Sequence, residues 1–257
     1  PEQVNIAYGE TRLTFGKDYI IPKPFDPRLI VEVPPAVAKA AMESGVAQVE
    51  ITDWEAYKSE LRKRMGLDNR FLSNIANRAK QNPQRVVFGE ADNPKVLKAA
   101  HVAREEGSCI PILLGFEDQI RSTIHELGLN LADCTIIDPS RSPELIDQYG
   151  KLYYEKRQRK GLTLHQAVKK MRQRTYFGAM MVELGQADAF ISGQNSNYPD
   201  TIRPALEIIG KTDGVTKVAG MYIIMSKQGP LFFADTTVNI APTSDELVDI
   251  VKLAYRM

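Results

Sequence analysis

The residues whose types and spacing could do chemistry lie between Asp188 and Leu206, which read DAFISGQNSNYPDTIRPAL. A short apolar run, Ala189-Phe190-Ile191, stops at Ser192-Gly193, and the polar loop Gln194-Asn195-Ser196-Asn197 follows. Tyr198-Pro199-Asp200-Thr201 then opens a helix with Arg203 in its first turns. Strand, glycine turn, polar loop and helix N-terminus form the arrangement by which α/β proteins hold anions at the carboxyl edge of a parallel sheet. The plainer alternative is an ordinary βα connection with a helix cap, because a fold feature does not by itself give a function.

A second concentration of charge runs from Lys156 to Arg174: Lys156, Arg157, Arg159, Lys160, Lys169, Lys170, Arg172 and Arg174. A solvated helix surface is one reading. Nucleic-acid binding is weakly supported, since interleaved aromatics and a basic net charge are missing. A phosphate-rich small ligand is the third, because arginine pairs with phosphate in bidentate fashion and lysine supplies a point charge. Arg203, beside Asp200-Thr201 and the Ser192-Gly193 turn, would converge on the same kind of ligand. Other motifs are missing: no GxGxxG, HExxH, GxSxG or paired-cysteine spacing occurs. The segment ALEIIGKT, 205–212, imitates a phosphate-binding loop but has alanine at its first glycine and lies in a helical pattern.

The elements that must position these residues alternate. Residues 1–34 are rich in proline and glycine and read as an extended, packed arm, with Tyr19-Ile20-Ile21 and Leu29-Ile30-Val31 as short apolar runs. Pro35 starts a helix that Gly45 ends, and Thr52-Asp53-Trp54-Glu55 caps a charged helix running through Arg64 and Gly66. Phe71, Leu72, Ile75, Ala76 and Ala79 recur at helical spacing. From Gln84, strands at Val86–Phe88, 110–114 and 134–137 alternate with helices 94–107 and to Gly128, which predicts a parallel sheet with its loops on one edge.

Helices follow over 144–160, from Thr163, and over 176–185, where a methionine and aromatic stripe reads as core. Beyond the loop of interest, 217–225 and 231–234 predict an antiparallel hairpin around Lys227-Gln228-Gly229-Pro230. The polar loop from Asp235 to Asn239 comes next, and Thr243-Ser244-Asp245-Glu246 caps a last helix. Ending on a helix that should return to another strand reads as a truncated domain with exposed edge and apolar surface. Pro1 in place of an initiator methionine reads likewise as a processed or expressed piece.

Composition bounds the class. The chain has 257 residues, 25% charged and 43% hydrophobic, with a net charge of +1, as in ordinary globular proteins. That balance gives no global case for nucleic acid or a membrane surface. Cys109 and Cys134 lack metal-ligand spacing, and His101, His125 and His165 stand alone in helical patterns, so no metal site is expected and a reduced, cytoplasmic setting is the default. No apolar run reaches a membrane span, and no signal peptide is visible.

The residues Tyr154-Glu155-Lys156-Arg157…Lys160-Gly161, Ser192-Gly193…Asp200-Thr201-Ile202-Arg203-Pro204 and Phe232-Phe233-Ala234-Asp235-Thr236…Val238-Asn239…Pro242 resemble the phosphate acetyl/butyryltransferases from about residue 70 onward. Residues 19–29 and 35–45 look like the last segment of a bacterial malic enzyme's nucleotide-binding domain. In this order the two are similar to hybrid NADP-dependent malic enzymes. The resemblance implies an α/β, mostly parallel sheet layered with helices, in the phosphotransacetylase-like (isocitrate/isopropylmalate dehydrogenase-like) superfold, truncated at its C-terminus. It implies a malic-enzyme tail over 1–50, a linker helix over 51–69 and an incomplete transferase-like domain over 70–257.

The resemblance further implies a parent that oxidatively decarboxylates malate with NADP and Mg or Mn, at sites preceding Pro1. Acetyl-CoA, coenzyme A or acetyl phosphate would be the ligand here, with Arg157, Ser192, Gly193, Ser196, Asp200, Thr201, Arg203, Asp235 and Thr236 as binding residues. A homo-oligomer is implied too. The serine, arginine and aspartate of the family's cleft would lie beyond Met257, so no catalytic residue is expected within this piece. An acetyl-CoA-responsive regulatory module, an active transferase in the intact parent, and an oligomer-building module stay open.

Overall fold

Val86-Val87-Phe88 and Ile112-Leu113-Leu114 are apolar at successive positions, which suits strands covered by helices on both faces of a sheet. In the computed structural model both segments take that role. The structure describes Lys17, Ile20, Ile21, Asp26 and residues 28–64, 70–226 and 229–256. The chain divides into two compact units, Pro1–Arg70 and Phe71–Met257.

In the first unit, helix α1 spans Leu29–Glu43 and α2 spans Trp54–Arg64. The helix expected to begin at Pro35 starts six residues earlier. The Leu29 amide donates to the Asp26 carbonyl at 3.0 Å, which begins the turn there, and Asp26 Oδ1 accepts from the Arg28 amide at 3.0 Å. Pro34 and Pro35 therefore lie inside α1, where they remove the amide donors that Ile30 and Val31 would otherwise meet. Asp53 caps α2, its Oδ1 accepting from the Ala56 amide at 2.9 Å. Gly66 and most of the expected arm lie outside the described residues.

Helix α3, Arg70–Gln81, begins at the boundary, and the second unit then runs β1 Gln84–Phe88, α4 Pro94–Glu105, β2 Cys109–Leu114, α5 Glu117–Leu127 and β3 Thr135–Ile137. Then come α6 Pro143–Arg157, with a 3-10 turn Gln158–Lys160, and α7 Leu164–Met171, α8 Arg174–Glu183, β4 Ala189–Ile191 and α9 Tyr198–Ile208. Four strands form one parallel sheet in the order β3-β2-β1-β4. The mostly parallel α/β architecture read from the sequence is the one observed.

Strand alternation splits the core in two. Val87, Ile112 and Leu114 join Tyr149, Tyr153, Phe177 and Met180 of α6 and α8 on one face. Phe88 and Leu113 join Leu97, Ile120 and Ile124 of α4 and α5 on the other. Each fully buried large side chain contributes roughly 1.5–3 kcal/mol of transfer free energy, so both layers hold the sheet. Backbone room matters as well: a Cβ on Gly178 would lie 2.5 Å from the Phe190 ring, so β4 reaches α8 only because that residue is glycine.

Beyond α9, β5 Met221–Ser226 and β6 Gly229–Ala234 form a separate antiparallel hairpin, and α10 spans Ser244–Tyr255. Gly229 and Pro230, expected in the turn, belong to β6 and pair with Ser226 and Met225. In a two-stranded ribbon a proline can direct its missing donor outward, so Pro230 is tolerated. Tyr222, Ile224, Leu231 and Phe233 share one face of this hairpin and stand about half exposed. The capping box forms as expected, Glu246 Oε2 accepting from the Thr243 amide at 2.9 Å and Thr243 Oγ1 from the Glu246 amide at 3.4 Å. Among the described residues no helix is long and apolar enough to cross a membrane.

Candidate functional site

The strand order defines where a ligand would go. From β1 the chain moves outward to β2 and β3, then returns to the other side of β1 for β4. The loops after β1 and β4 consequently diverge at the carboxyl edge, and such a switch point is where open α/β sheets form crevices. The loop after β1 begins Gly89-Glu90 and the loop after β4 begins Ser192-Gly193. A cavity of about 600 Å³ lies at this position.

The two loops are tied together. The Gly89 amide donates to the Ile191 carbonyl at 2.9 Å, and a Cβ on Gly89 would fall 2.8 Å from the Phe190 ring and 3.2 Å from that carbonyl. Glu90 is buried, and its Oε1 accepts from Ser192 Oγ at 3.2 Å and from the Gly193 amide at 3.1 Å. Gly193 has a φ of +116°, a conformation open to glycine and strained for other residues. Asn93 caps α4 by accepting from the Lys95 amide at 2.9 Å, and its Nδ2 donates to Asn195 Oδ1 at 3.3 Å.

Ser192, Ser196, Asp200 and Arg203 all line this cavity, as do Glu90 and Asn195. Asp200 and Arg203 stand three apart on α9 and share a helix face. Thr201 points elsewhere, its Oγ1 donating to the Asn197 carbonyl at 3.2 Å within the helix. Because Glu90 accepts hydrogen bonds from the Ser192 hydroxyl and the Gly193 amide, those two donors are engaged inside the protein. The cation open to a ligand is Arg203, which is exposed and has no hydrogen-bond or ion-pair partner among the described residues.

The opposite wall comes from the basic stretch. Arg174 pairs with Asp92 in bidentate fashion, at 2.7 and 2.8 Å, and stacks its guanidinium 4.7 Å from the centre of the Phe116 ring. Lys170 Nζ donates to Tyr176 OH at 3.0 Å and to Glu207 Oε2 at 3.3 Å. Lys156 bridges Glu183 and the Ile208 carbonyl and so fastens α6 to α8 and α9.

Arg157 lines a neighbouring hollow of about 450 Å³ with Lys160, Lys169 and Glu207, and Lys170 and Gln173 line both hollows. Arg157 approaches Glu207 at 3.6 Å. Tyr153 and Tyr176 donate to Glu207 Oε2 at 2.5 and 2.9 Å. Burial pushes the Glu207 carboxyl up, but the two phenols and Lys170 outweigh it and hold the group below the usual carboxylate range. Burial and the same carboxylate push Tyr153 well up. For Lys170, burial works downward and is outweighed by Tyr176 and Glu207, so it stays raised and charged.

Asp235 and Thr236 line neither hollow. Asp235, at a φ of +58°, accepts from the Asn239 amide at 3.2 Å and Nδ2 at 2.7 Å, and the Thr236 amide donates to the Gly220 carbonyl at 3.3 Å. Their loop reaches the start of α9 through Thr237 Oγ1, which donates to Tyr198 OH at 2.9 Å. Sequence reasoning missed Glu90 and Glu207 as parts of these walls. Glu90 was open to detection, since it follows β1 at the edge the crossovers share. Glu207 carries no local signal, because its partners come from three other helical segments.

Among the described residues no group of three or more His, Cys, Asp or Glu side chains comes together that could hold a metal ion. Cys109 and Cys134 are free, and burial pushes both thiols up.

Residues 70–257 match the phosphate acetyl/butaryl transferase family. The NADP-dependent malic enzyme of Salmonella typhimurium is 39% identical over 98% of this chain and 34% of its own length. The phosphate acetyltransferase of Thermoanaerobacterium thermosaccharolyticum is 36% identical over 70% of this chain and 56% of its own. A phosphotransacetylase structure from Streptococcus pyogenes superposes with a TM-score of 0.65 at 32% identity, over 70% of this chain and 55% of that one. The chain thus spans about a third of the malic enzymes it matches. A family match over most of the chain, together with that superposition, makes the chain a member of the phosphate acetyl/butyryl transferase family.

Proposed function

We propose that this chain is part of an NADP-dependent malic enzyme and carries its phosphotransacetylase-like module, which binds acetyl-CoA and regulates malate turnover. One observation supports the malic-enzyme assignment above the others. Similarity to malic enzymes extends over 98% of the chain, whereas similarity to phosphate acetyltransferases covers 70%. On this reading residues 1–50 are the tail of the malic domain, 51–69 the linker, and 70–257 the transferase-like domain. NADP and the divalent metal belong to the malic-enzyme parent; acetyl-CoA, coenzyme A or acetyl phosphate belongs to the switch-point cavity.

In that cavity Arg203 meets a phosphoryl group, Ser196 and Asn195 supply neighbouring polar contacts, and Glu90 fixes the loop that carries them. Arg157 acts from the adjoining hollow, while Thr201, Asp235 and Thr236 serve the site by shaping α9 and the loop near it. Two of the cations facing the cavity, Lys170 and Arg174, are already paired with protein carboxylates, which leaves Arg203 to meet the ligand. The second reading is acyl transfer between coenzyme A and phosphate in the intact parent. It is favoured by Ser192, Asp200 and Arg203 lining one cavity.

A coupled assay on the full-length protein separates the two. Regulation predicts that acetyl-CoA changes malate turnover and that no acetyl-CoA forms from acetyl phosphate and coenzyme A. Acetyl-CoA formation that Arg203→Ala abolishes would contradict it.

A further inference from the structure

The hollow beside the switch point is strongly basic, yet its most buried acid sits among its cations. Arg157, Lys160, Lys169 and Lys170 face about 450 Å³ of space with one carboxylate, Glu207. Lys160 and Lys169 are exposed and have no partner among the described residues. Glu207, with its side chain 17% exposed, gathers Tyr153, Tyr176, Lys170 and, more loosely, Arg157. At 3.6 Å the Arg157 contact is an ion pair without hydrogen-bond geometry, so its guanidinium keeps donors for another anion.

We infer that Glu207 is an internal counter-anion that competes with a pyrophosphate-bearing ligand for this hollow. The inference rests on the reading of the domain as a binder of phosphate-bearing ligands and adds what tunes that binding. Four cations around one cavity suit a ligand with two linked phosphates, because each phosphate needs its own cationic partners. To use Lys170 and Arg157, the ligand draws both from Glu207. Lys170 also lines the Ser192 hollow, so filling one hollow changes the charge presented to the other. Removing the Glu207 charge while keeping its shape should therefore strengthen binding, the reverse of what loss of an ordinary site residue does.

The test is calorimetric titration of the purified protein with inorganic pyrophosphate. Glu207→Gln should bind about tenfold more tightly than the parent protein, the gain expected from removing one competing charge-assisted contact. The gain should persist with Arg203→Ala and vanish with Lys170→Ala, which removes the cation that Glu207 holds most closely. Unchanged or weaker binding by a Glu207→Gln protein that melts normally would overturn the inference, as would a gain that depends on Arg203. If Glu207→Gln fails to fold, Lys160→Ala and Lys169→Ala together decide: both side chains are exposed, and their joint loss should weaken pyrophosphate binding about tenfold with the melting temperature unchanged. No change there overturns the proposal. Acetyl-CoA, titrated in parallel, keeps the two readings apart. A protein that ignores acetyl-CoA but shows the Glu207→Gln gain loses only the acetyl-CoA assignment. One that binds acetyl-CoA without that gain loses only the role of Glu207.

Discussion

The two hollows share Lys170 and Gln173, and each contains a buried or nearly buried glutamate, but the glutamates grip different things. Glu90 holds a hydroxyl and a backbone amide of the Ser192-Gly193 turn, so it shapes the loop. Glu207 holds two phenols and two cations, so it neutralises charge that a ligand would use. A carboxylate in the wall of an anion site is therefore no single signal. Its effect depends on whether it takes the protein's backbone or the protein's cations.

The largest expected effect comes from the core beneath the helices that line the hollows. Phe177 is fully buried in α8, packs against Tyr149 with ring centres 4.8 Å apart, and lies in the helix that carries Arg174 and Tyr176. Phe177→Ala should cost about 3–5 kcal/mol in urea denaturation and weaken binding at both hollows together. Loss at one hollow alone would show that they do not depend on a common support. Glu90→Ala comes next, at about 1–3 kcal/mol, since it leaves the Gly193 amide and Ser192 hydroxyl without their acceptor. It should weaken phosphate binding, where Glu207→Gln strengthens pyrophosphate binding, and equal signs for the two variants would break the comparison. Arg203→Ala should leave the melting temperature unchanged, since Arg203 is exposed and unpaired among the described residues, and weaken phosphate binding roughly tenfold.

The smallest effect belongs to the opposite end of β1 and β4. Asp188 accepts from the Arg85 amide at 2.8 Å and from its guanidinium at 2.8 and 3.0 Å, which holds its carboxyl down at about 2 against an ordinary 3.8. A depressed folded-state pKa gives stability that is present above the ordinary value and lost as pH falls toward the folded one. The contribution should fade between about pH 4 and pH 2, be absent in Asp188→Asn, and touch both hollows equally, as followed by acid denaturation.

Much of the fold was legible because strand, turn and helix signals repeat in order from Gln84 to Arg203, and right-handed crossovers then fix one loop edge. The Ser192–Arg203 loop was legible for the same reason. What was not legible depends on distant partners. The start of α1 turned on Asp26, which overrode the proline signal at Pro35. Arg157 sits in a hollow separate from Arg203 because α6 delivers it beside Glu207, an arrangement that no spacing along the chain encodes.

The proposed function stands or falls on acetyl-CoA binding through Arg203 in the switch-point cavity. Calorimetric titration of the full-length protein with acetyl-CoA, with and without Arg203→Ala, tests it most directly. Saturable binding that weakens roughly tenfold in the variant is the predicted result. Equal binding by both proteins, or none by either, would contradict it.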